Sequence, residues 1–419
     1  MQNPSYNIEI QNYNNQITRT KSYSTKKATY KIVNLLRNSY HALKTCEGVK
    51  DYVSTKKENF ENENVYRSLI LSDNEENPQL LSFSPPKSVE KTKFLETHDW
   101  SDIHINEAIE GTMIQLFYDH RIQSWEIATK NAVGGSYWFF KNQYDETVKR
   151  KHTTFYDMFL DALASERDKE LNDLQILKQL PKEYCYTFVL QHPENHIVYT
   201  VEFAKLYLVA IYKIAESKVE FILPEEYQGW KCFIGNSGIF HFPRTLTADS
   251  YDDFEQKYRR IFLENSAQYM GFMLNSRSTG ERVSIKNEAY EELKKIRGNH
   301  PNLQYQYLSL YRIGKIKEYL AYFPMYKMLF YHFKNEYMRF IKTIHECYCA
   351  YYIRKEVDLT TAEISKKYFV HIWRLHHQIY IPSLKTGEKK KITFGIVKQY
   401  FDELEPRLQL YYLNYVDKI

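Results

Sequence analysis

A chain of 419 residues is longer than one ordinary hydrophobic core fills, and 43% hydrophobic residues are ample for burial, so two or three globular domains are expected. Five cysteines (Cys46, Cys185, Cys232, Cys347 and Cys349) are an odd number without paired spacing, which argues against a disulfide framework and for a reducing, cytoplasmic setting. Net charge is +5 but uneven: Tyr305 to Ile419 holds 19 Lys and Arg against 11 Asp and Glu, leaving the first 304 residues at −3, so a polyanion such as RNA suits the carboxy-terminal third.

Residues 1 to about 27 are Asn, Tyr, Ser, Thr and Lys without periodicity and read as a mobile tail with no targeting pattern. "KATYKIVNLLRNSYHALKT" (Lys27 to Thr45) has apolar residues at helical spacing and predicts a helix, so residues 1–79 form a polar extension with one helix. "PQLLSFSPPKSV" reads as a short strand stopped by Pro85 and Pro86. Strands are then expected at "GTMIQLFY", "SWEIATK", "YCYTFVLQHP", "HIVYTVEF", "LYLVAIYKI" and "YMGFMLNS", all rich in β-branched and aromatic residues. Helices fall at Thr153 to Arg167 and Tyr251 to Ser266, which makes residues 80–300 an α+β domain built on antiparallel sheet. After "RGNHPNLQ" a helix ends at Gly298 and Pro301 prevents its continuation. Residues 301–419 then carry apolar and aromatic residues at i, i+3 and i+4 and form an all-α domain. No apolar run, "LYLVAIY" included, is long enough to span a bilayer.

Four segments carry the chemistry by their order: "EAIEGTMI", "SWEIATKNAVGG", "YCYTFVLQHPENHIV" and "YMGFMLNSRSTGERVSIKNEAY". This series resembles the nucleotidyltransferase domain of the phage tRNA-repair type of RNA ligase (the RNA ligase 1 type), over roughly residues 80 to 300. The resemblance implies ATP and Mg as cofactors and a lysine, in a K-x-(D/E)-G element, that attacks the α-phosphate of ATP. Here that element reads Ala108, Ile109, Glu110, Gly111. The acid and the glycine match, and alanine offers no lone pair.

The other motifs are similarly mixed. "ATKNAVGG" keeps its phosphate-contacting lysine as Lys130, and Pro193, Asn195, Ile197 and Val198 of the third segment match, while Val189 stands near an expected glutamate. Met270 replaces an acid that the resemblance places near the metal or ribose; Lys286 persists, but its alternating partner is Ser284. The resemblance thus assigns Glu110, Gly111, Lys130 and Lys286 to nucleotide binding and leaves no nucleophile in the usual place. A divergent, catalytically degenerate member is expected, one that binds nucleotide or RNA ends. The bland alternative is that Gly111 and Gly271 only mark tight turns and that Lys130 and Lys286 are solvated strand-end lysines. Two rivals remain: an active ligase using a displaced lysine such as Lys130, or a structural or interaction protein. The Asn- and Tyr-heavy, AT-rich coding bias suits a large DNA virus.

Outside the series, "IHECYCAYY" places His345, Cys347 and Cys349 ahead of His371, His376 and His377. On a helix i and i+2 point to different faces, so Cys347 and Cys349 would not share a zinc ion, and buried helical cysteines are expected. Seventeen tyrosines between Tyr305 and Tyr415 are interleaved with lysines. Most are expected as half-buried core. Lys389, Lys390 and Lys391 form the densest basic turn and are the residues expected to bind RNA.

Overall fold

The computed structural model describes residues 3–8, 10, 18–35, 66–74, 76–137, 153–198, 200–265, 269–298, 300, 302–356 and 365–415. These fall into two compact units, one of residues up to Lys295 and one from Ile296 onward. The first is α+β and built on antiparallel sheets; the second is helical.

Among the described residues the first unit holds sixteen strands. In chain order they are β1 (Ser5–Asn7), β2 (Thr18–Ser24), β3 (Thr29–Leu35), β4 (Ser68–Ser72), β5 (Leu80–Phe83), β6 (Ile103–Glu107), β7 (Thr112–Asp119) and β8 (Ser124–Thr129). There follow β9 (Ala132–Val133), β10 (Tyr184–Gln191), β11 (Lys205–Ala215), β12 (Lys218–Ile222), β13 (Phe240–His241), β14 (Thr245–Leu246), β15 (Gly271–Ser276) and β16 (Arg282–Lys286). The large sheet runs β1-β12-β11-β10-β7-β8-β9 with β13 beside β11; two four-stranded sheets run β2-β3-β4-β5 and β14-β6-β15-β16.

Strand alternation gives the large sheet two apolar faces. Ile114, Leu116, Trp125, Ile127, Phe188 and Leu190 pack on one face with Phe159 from helix α1 (Phe155–Ala162). On the other, Phe117, Ala128 and Cys185 meet Tyr30, Ile32 and Ile70 of the amino-terminal sheet. The third sheet buries Ile105, Phe272 and Leu274 against Phe254 of α2 (Tyr251–Asn265). A third helix, α3 (Glu288–Arg297), follows β16 and ends before Gly298, whose φ of +67° suits a residue without a side chain.

The helical unit comprises α4 (Leu303–Arg312), α5 (Ile316–Tyr322), α6 (Lys327–Tyr348), α7 (Lys366–Arg374), α8 (Phe394–Glu403) and α9 (Pro406–Leu413), with single π-helical stretches at Cys349–Arg354 and Leu375–Tyr380. Its core joins Tyr307, Tyr319, Phe330, Tyr337, Phe340, Ile344, Ile372 and Phe401.

Three expectations fail. The mobile tail holds β1 and β2. The helix expected over Lys27 to Thr45 is strand β3 as far as Leu35, and the remainder lies outside the described residues. Tyr30 and Ile32 pack toward the large sheet while Val33 joins a different cluster, so both faces of β3 are buried and the period-2 signal is lost. The strand expected at "HIVYTVEF" does not form over the described residues of that segment, for a reason found in the site.

Candidate functional site

The motif series converges on one end of the large sheet. β7 starts just after Gly111, and in the ladders Thr112 pairs with Leu190, Gln191 pairs with Lys205, and Gln115 pairs with Ala128. Lys130, in the turn after β8, therefore lies at the same sheet end as Gly111, Gln191 and Lys205. The third sheet reaches this end through β6, whose last residue Glu107 leads into Ala108; the Ala108 amide donates to the Gly271 carbonyl at 2.9 Å.

Glu110 is the most constrained residue here. It is 3% exposed, and its carboxylate accepts from the amides of Ile197 (2.7 Å) and Val198 (3.1 and 3.2 Å) and from the Tyr290 hydroxyl at 2.7 Å. Its carbonyl accepts from Gln191 Nε2 at 2.9 Å. These charge-assisted bonds explain why the chain after Asn195 does not form a strand: the amides of Ile197 and Val198 serve a buried carboxylate instead of a ladder. Asn195 supports the same loop by donating to Thr112 Oγ1 at 2.7 Å. Gly111 is required by close approach, since a Cβ there would lie 2.4 Å from the Leu190 carbonyl oxygen and 2.7 Å from Val189 Cγ1.

A transverse row forms the floor beside this loop. Met113, Val189, Tyr207 and His241 are successive ladder partners across β7, β10, β11 and β13, on the face opposite Phe188 and Leu190. The rings of Tyr207 and His241 are 5.5 Å apart. Burial, with the Glu107 carboxylate nearby, raises the Tyr207 hydroxyl pKa; burial and Lys205 lower that of His241 and keep the imidazole neutral. Burial also raises the Glu107 carboxyl, opposed by Arg244. Arg244 donates through Nη1 to the Tyr269 hydroxyl at 2.8 Å and its carbonyl accepts from the Glu107 amide at 2.8 Å.

The structure thus brings Ala108, Glu110, Gly111, Lys130 and Val189 to one sheet end. Met270 lies on the chain entering β15, and its carbonyl accepts from the Asn287 amide at 3.1 Å. Lys286 ends β16, with its ammonium 3.8 Å from Glu291 and its side chain 63% exposed. Sequence reasoning missed Tyr290, Gln191, Lys205, His241 and Arg244. Tyr290 had a weak signal, standing in "NEAY" directly after the lysine-bearing strand; the others had none.

The donor set does not fit a divalent metal. Met113, Val189 and Met270 offer no hard oxygen, and Glu110 has its oxygens committed to three donors. Among the described residues no three His, Cys, Asp or Glu side chains are grouped to hold a metal ion. In the helical unit Cys349 Sγ lies 3.7 Å from His345 Nε2, and half-buried Cys347 packs against the helical core. Lys389, Lys390 and Lys391 are exposed, in a turn where Lys389 has φ +47° and Lys390 pairs with Glu388 at 2.9 Å.

No protein-family model matches the chain. It is 23% identical over 333 residues to an immediate-early protein ICP-46 homolog of Invertebrate iridescent virus 6, covering 76% of this chain and 68% of that protein. It is 26% identical over 218 residues to the protein of the same description from Invertebrate iridescent virus 3, covering 51% of this chain but only 41% of that one. Among solved structures, an archaeal ATP-dependent RNA ligase aligns with a TM-score of 0.41 at 11% identity, covering 88% of this chain and 75% of the ligase. A variant of an RNA ligase from Naegleria gruberi, solved with ATP and Mn, aligns at 0.37 and 11% identity over 70% of this chain and 85% of its own. A putative ATP-dependent DNA ligase from Aquifex aeolicus aligns at 0.35 and 12% identity over 82% of this chain and 81% of its own. Scores at this level record a likeness in outline, and the chemistry is read from the site's own residues.

Proposed function

We propose that this chain is a ligase-like nucleotidyltransferase relative that binds a nucleotide or an RNA end without forming a covalent adenylate. The observation that carries this is the pairing of Ala108 with a fully engaged Glu110: the nucleophile position is empty of chemistry while the loop that frames it is held by four hydrogen bonds. A site that had lost its role altogether would have no need of a buried carboxylate, which is costly without such partners. Glu110 holds the loop, and Gly111 lets the chain pass close to Leu190; Met113, Val189 and Tyr207 offer an apolar floor for a base, and Lys130, Lys205 and Lys286 supply positive charge for phosphates. The basic turn at Lys389 to Lys391 contributes to RNA affinity. A host-cytoplasmic setting for a viral protein of this type belongs to the same proposal.

The test is incubation with radiolabelled ATP and Mg followed by denaturing electrophoresis, alongside equilibrium binding of ATP and of RNA bearing a 5′-phosphate. Reversible binding without a labelled protein band is expected. A second reading, ATP-dependent ligation through Lys130, is favoured by the register that sets Lys130 at the Gly111 end of the sheet. A labelled lysine mapped to Lys130 by mass spectrometry would establish it. Absence of both binding and labelling would leave the interaction-protein reading.

A further inference from the structure

The helical unit carries a surface stripe that its own packing does not use. Helix α6 buries Phe330, Phe333, Tyr337, Phe340, Ile341 and Ile344 on one side. Its outward face presents Lys327, Met328, Tyr331 and Lys334, all exposed. Counting back through the turn into α5, four large side chains recur every third residue: Tyr322, Met325, Met328 and Tyr331, exposed by 53%, 44%, 77% and 61%. Scattered exposed apolar residues are ordinary, but four large ones within the ten residues from Tyr322 to Tyr331 concentrate exposed surface of the kind that marks a contact site.

The charges beside the stripe indicate what it contacts. Lys327 and Lys334 lie at i−4 and i+3 from Tyr331, on the same helix face. Neither has an acidic partner within 4 Å among the described residues, whereas Arg339 and Lys342 farther along pair with Glu336 and Glu346 at 3.5 and 3.6 Å. The rings of Tyr322 and Tyr331 likewise have no aromatic or hydrogen-bonding partner among the described residues. Uncompensated cations alternating with open phenol faces match the two needs of an unpaired nucleic-acid strand, phosphate neutralisation and base stacking.

We propose that this stripe is a binding track for single-stranded RNA, with Tyr322 and Tyr331 stacking on bases, Met325 and Met328 packing along them, and Lys327 and Lys334 meeting phosphates. The inference rests on the RNA reading above but uses neither the motif site nor the Lys389 to Lys391 turn. An acidic amphipathic peptide would use the methionines equally well; the two open tyrosine faces favour the nucleic acid.

The experiment measures fluorescence anisotropy of a labelled oligouridylate of about 12 nucleotides, within the span of known single-strand sites. The full-length wild type is compared with Tyr322→Ala/Tyr331→Ala and Lys327→Ala/Lys334→Ala variants. All four positions are solvent-facing, so unchanged circular dichroism melts are the folding control. The tyrosine pair should cost about tenfold or more in affinity with the salt slope retained, because stacking is not ionic. The lysine pair should flatten the slope of log affinity against log salt by about 1.4. Oligonucleotide binding by the wild type that both variants reproduce would overturn the track and leave the RNA reading standing. A wild type that binds no oligonucleotide would overturn both. A glutamate- and leucine-rich peptide bound more tightly than the oligonucleotide at this face would replace RNA with a protein partner.

Discussion

Removing the Tyr290 hydroxyl tests whether Glu110 holds the site together. Tyr290 is fully buried and donates at 2.7 Å to a carboxylate that is itself 3% exposed. A hydrogen bond to a buried charge contributes about 1.5–3 kcal/mol, so Tyr290→Phe should destabilise by that amount. Glu110→Ala should cost more, about 3–5 kcal/mol, because it strands the amides of Ile197 and Val198 and the Tyr290 hydroxyl without acceptors. In the Glu110→Ala background the tyrosine change should then be close to neutral, giving a coupling nearly equal to the single Tyr290→Phe effect. Urea unfolding read by tryptophan fluorescence suits this, since four of the five tryptophans (Trp100, Trp125, Trp138 and Trp230) precede residue 296. Additive effects of the two substitutions would refute the claim that Glu110 and Tyr290 act through one bond. Nucleotide affinity should fall together with stability, because the same bonds place the loop beside the floor row.

Four further outcomes are expected. Ala108→Lys alone should form no adenylate, because Val189 and Met270 still supply no acid; intact-mass spectrometry after incubation with ATP and Mg checks this. Gly111→Ala should cost about 1–3 kcal/mol, since the Leu190 carbonyl and Val189 leave no room for a methyl group, and a melt of the purified variant measures it. Burial pushes the Glu126 carboxyl up to about 7, with Lys27 opposing and Asp119 and Glu170 adding to the rise. The folded state therefore binds this proton more tightly than the unfolded chain, so the stabilisation is complete below the unfolded pKa and is lost as pH rises through 7. Glu126→Gln should match the wild type near pH 4 and exceed it by up to about 3 kcal/mol near pH 8, as urea titrations at both pH values would show. Replacing Lys389, Lys390 and Lys391 together with Ala should flatten the salt dependence of RNA binding by about 2 in slope if all three meet phosphates, and unchanged slopes would remove that turn from the site.

The sequence by itself determined the elements whose pattern survives in isolation. The strands from "GTMIQLFY" to "YCYTFVLQHP" are legible by their β-branched and aromatic composition, since the sheet is buried on both faces, and the helical carboxy-terminal third repeats its apolar positions over many turns. That Ala108 stands two residues before Glu110 is likewise a matter of sequence alone, whatever the fold does. Tertiary structure decided the rest. β3 looks helical because both of its faces are buried, and only pairing with β4, more than thirty residues away, makes it a strand. "HIVYTVEF" has strand composition, yet two of its amides are claimed by a carboxylate 87 and 88 residues earlier in the chain. The Glu110 to Tyr290 bond spans 180 residues, and the floor row is assembled from four strands. A period of two or 3.6 residues reports which way neighbouring side chains point; it carries no information about which distant donor will satisfy a buried charge, and that requirement is what shaped the site.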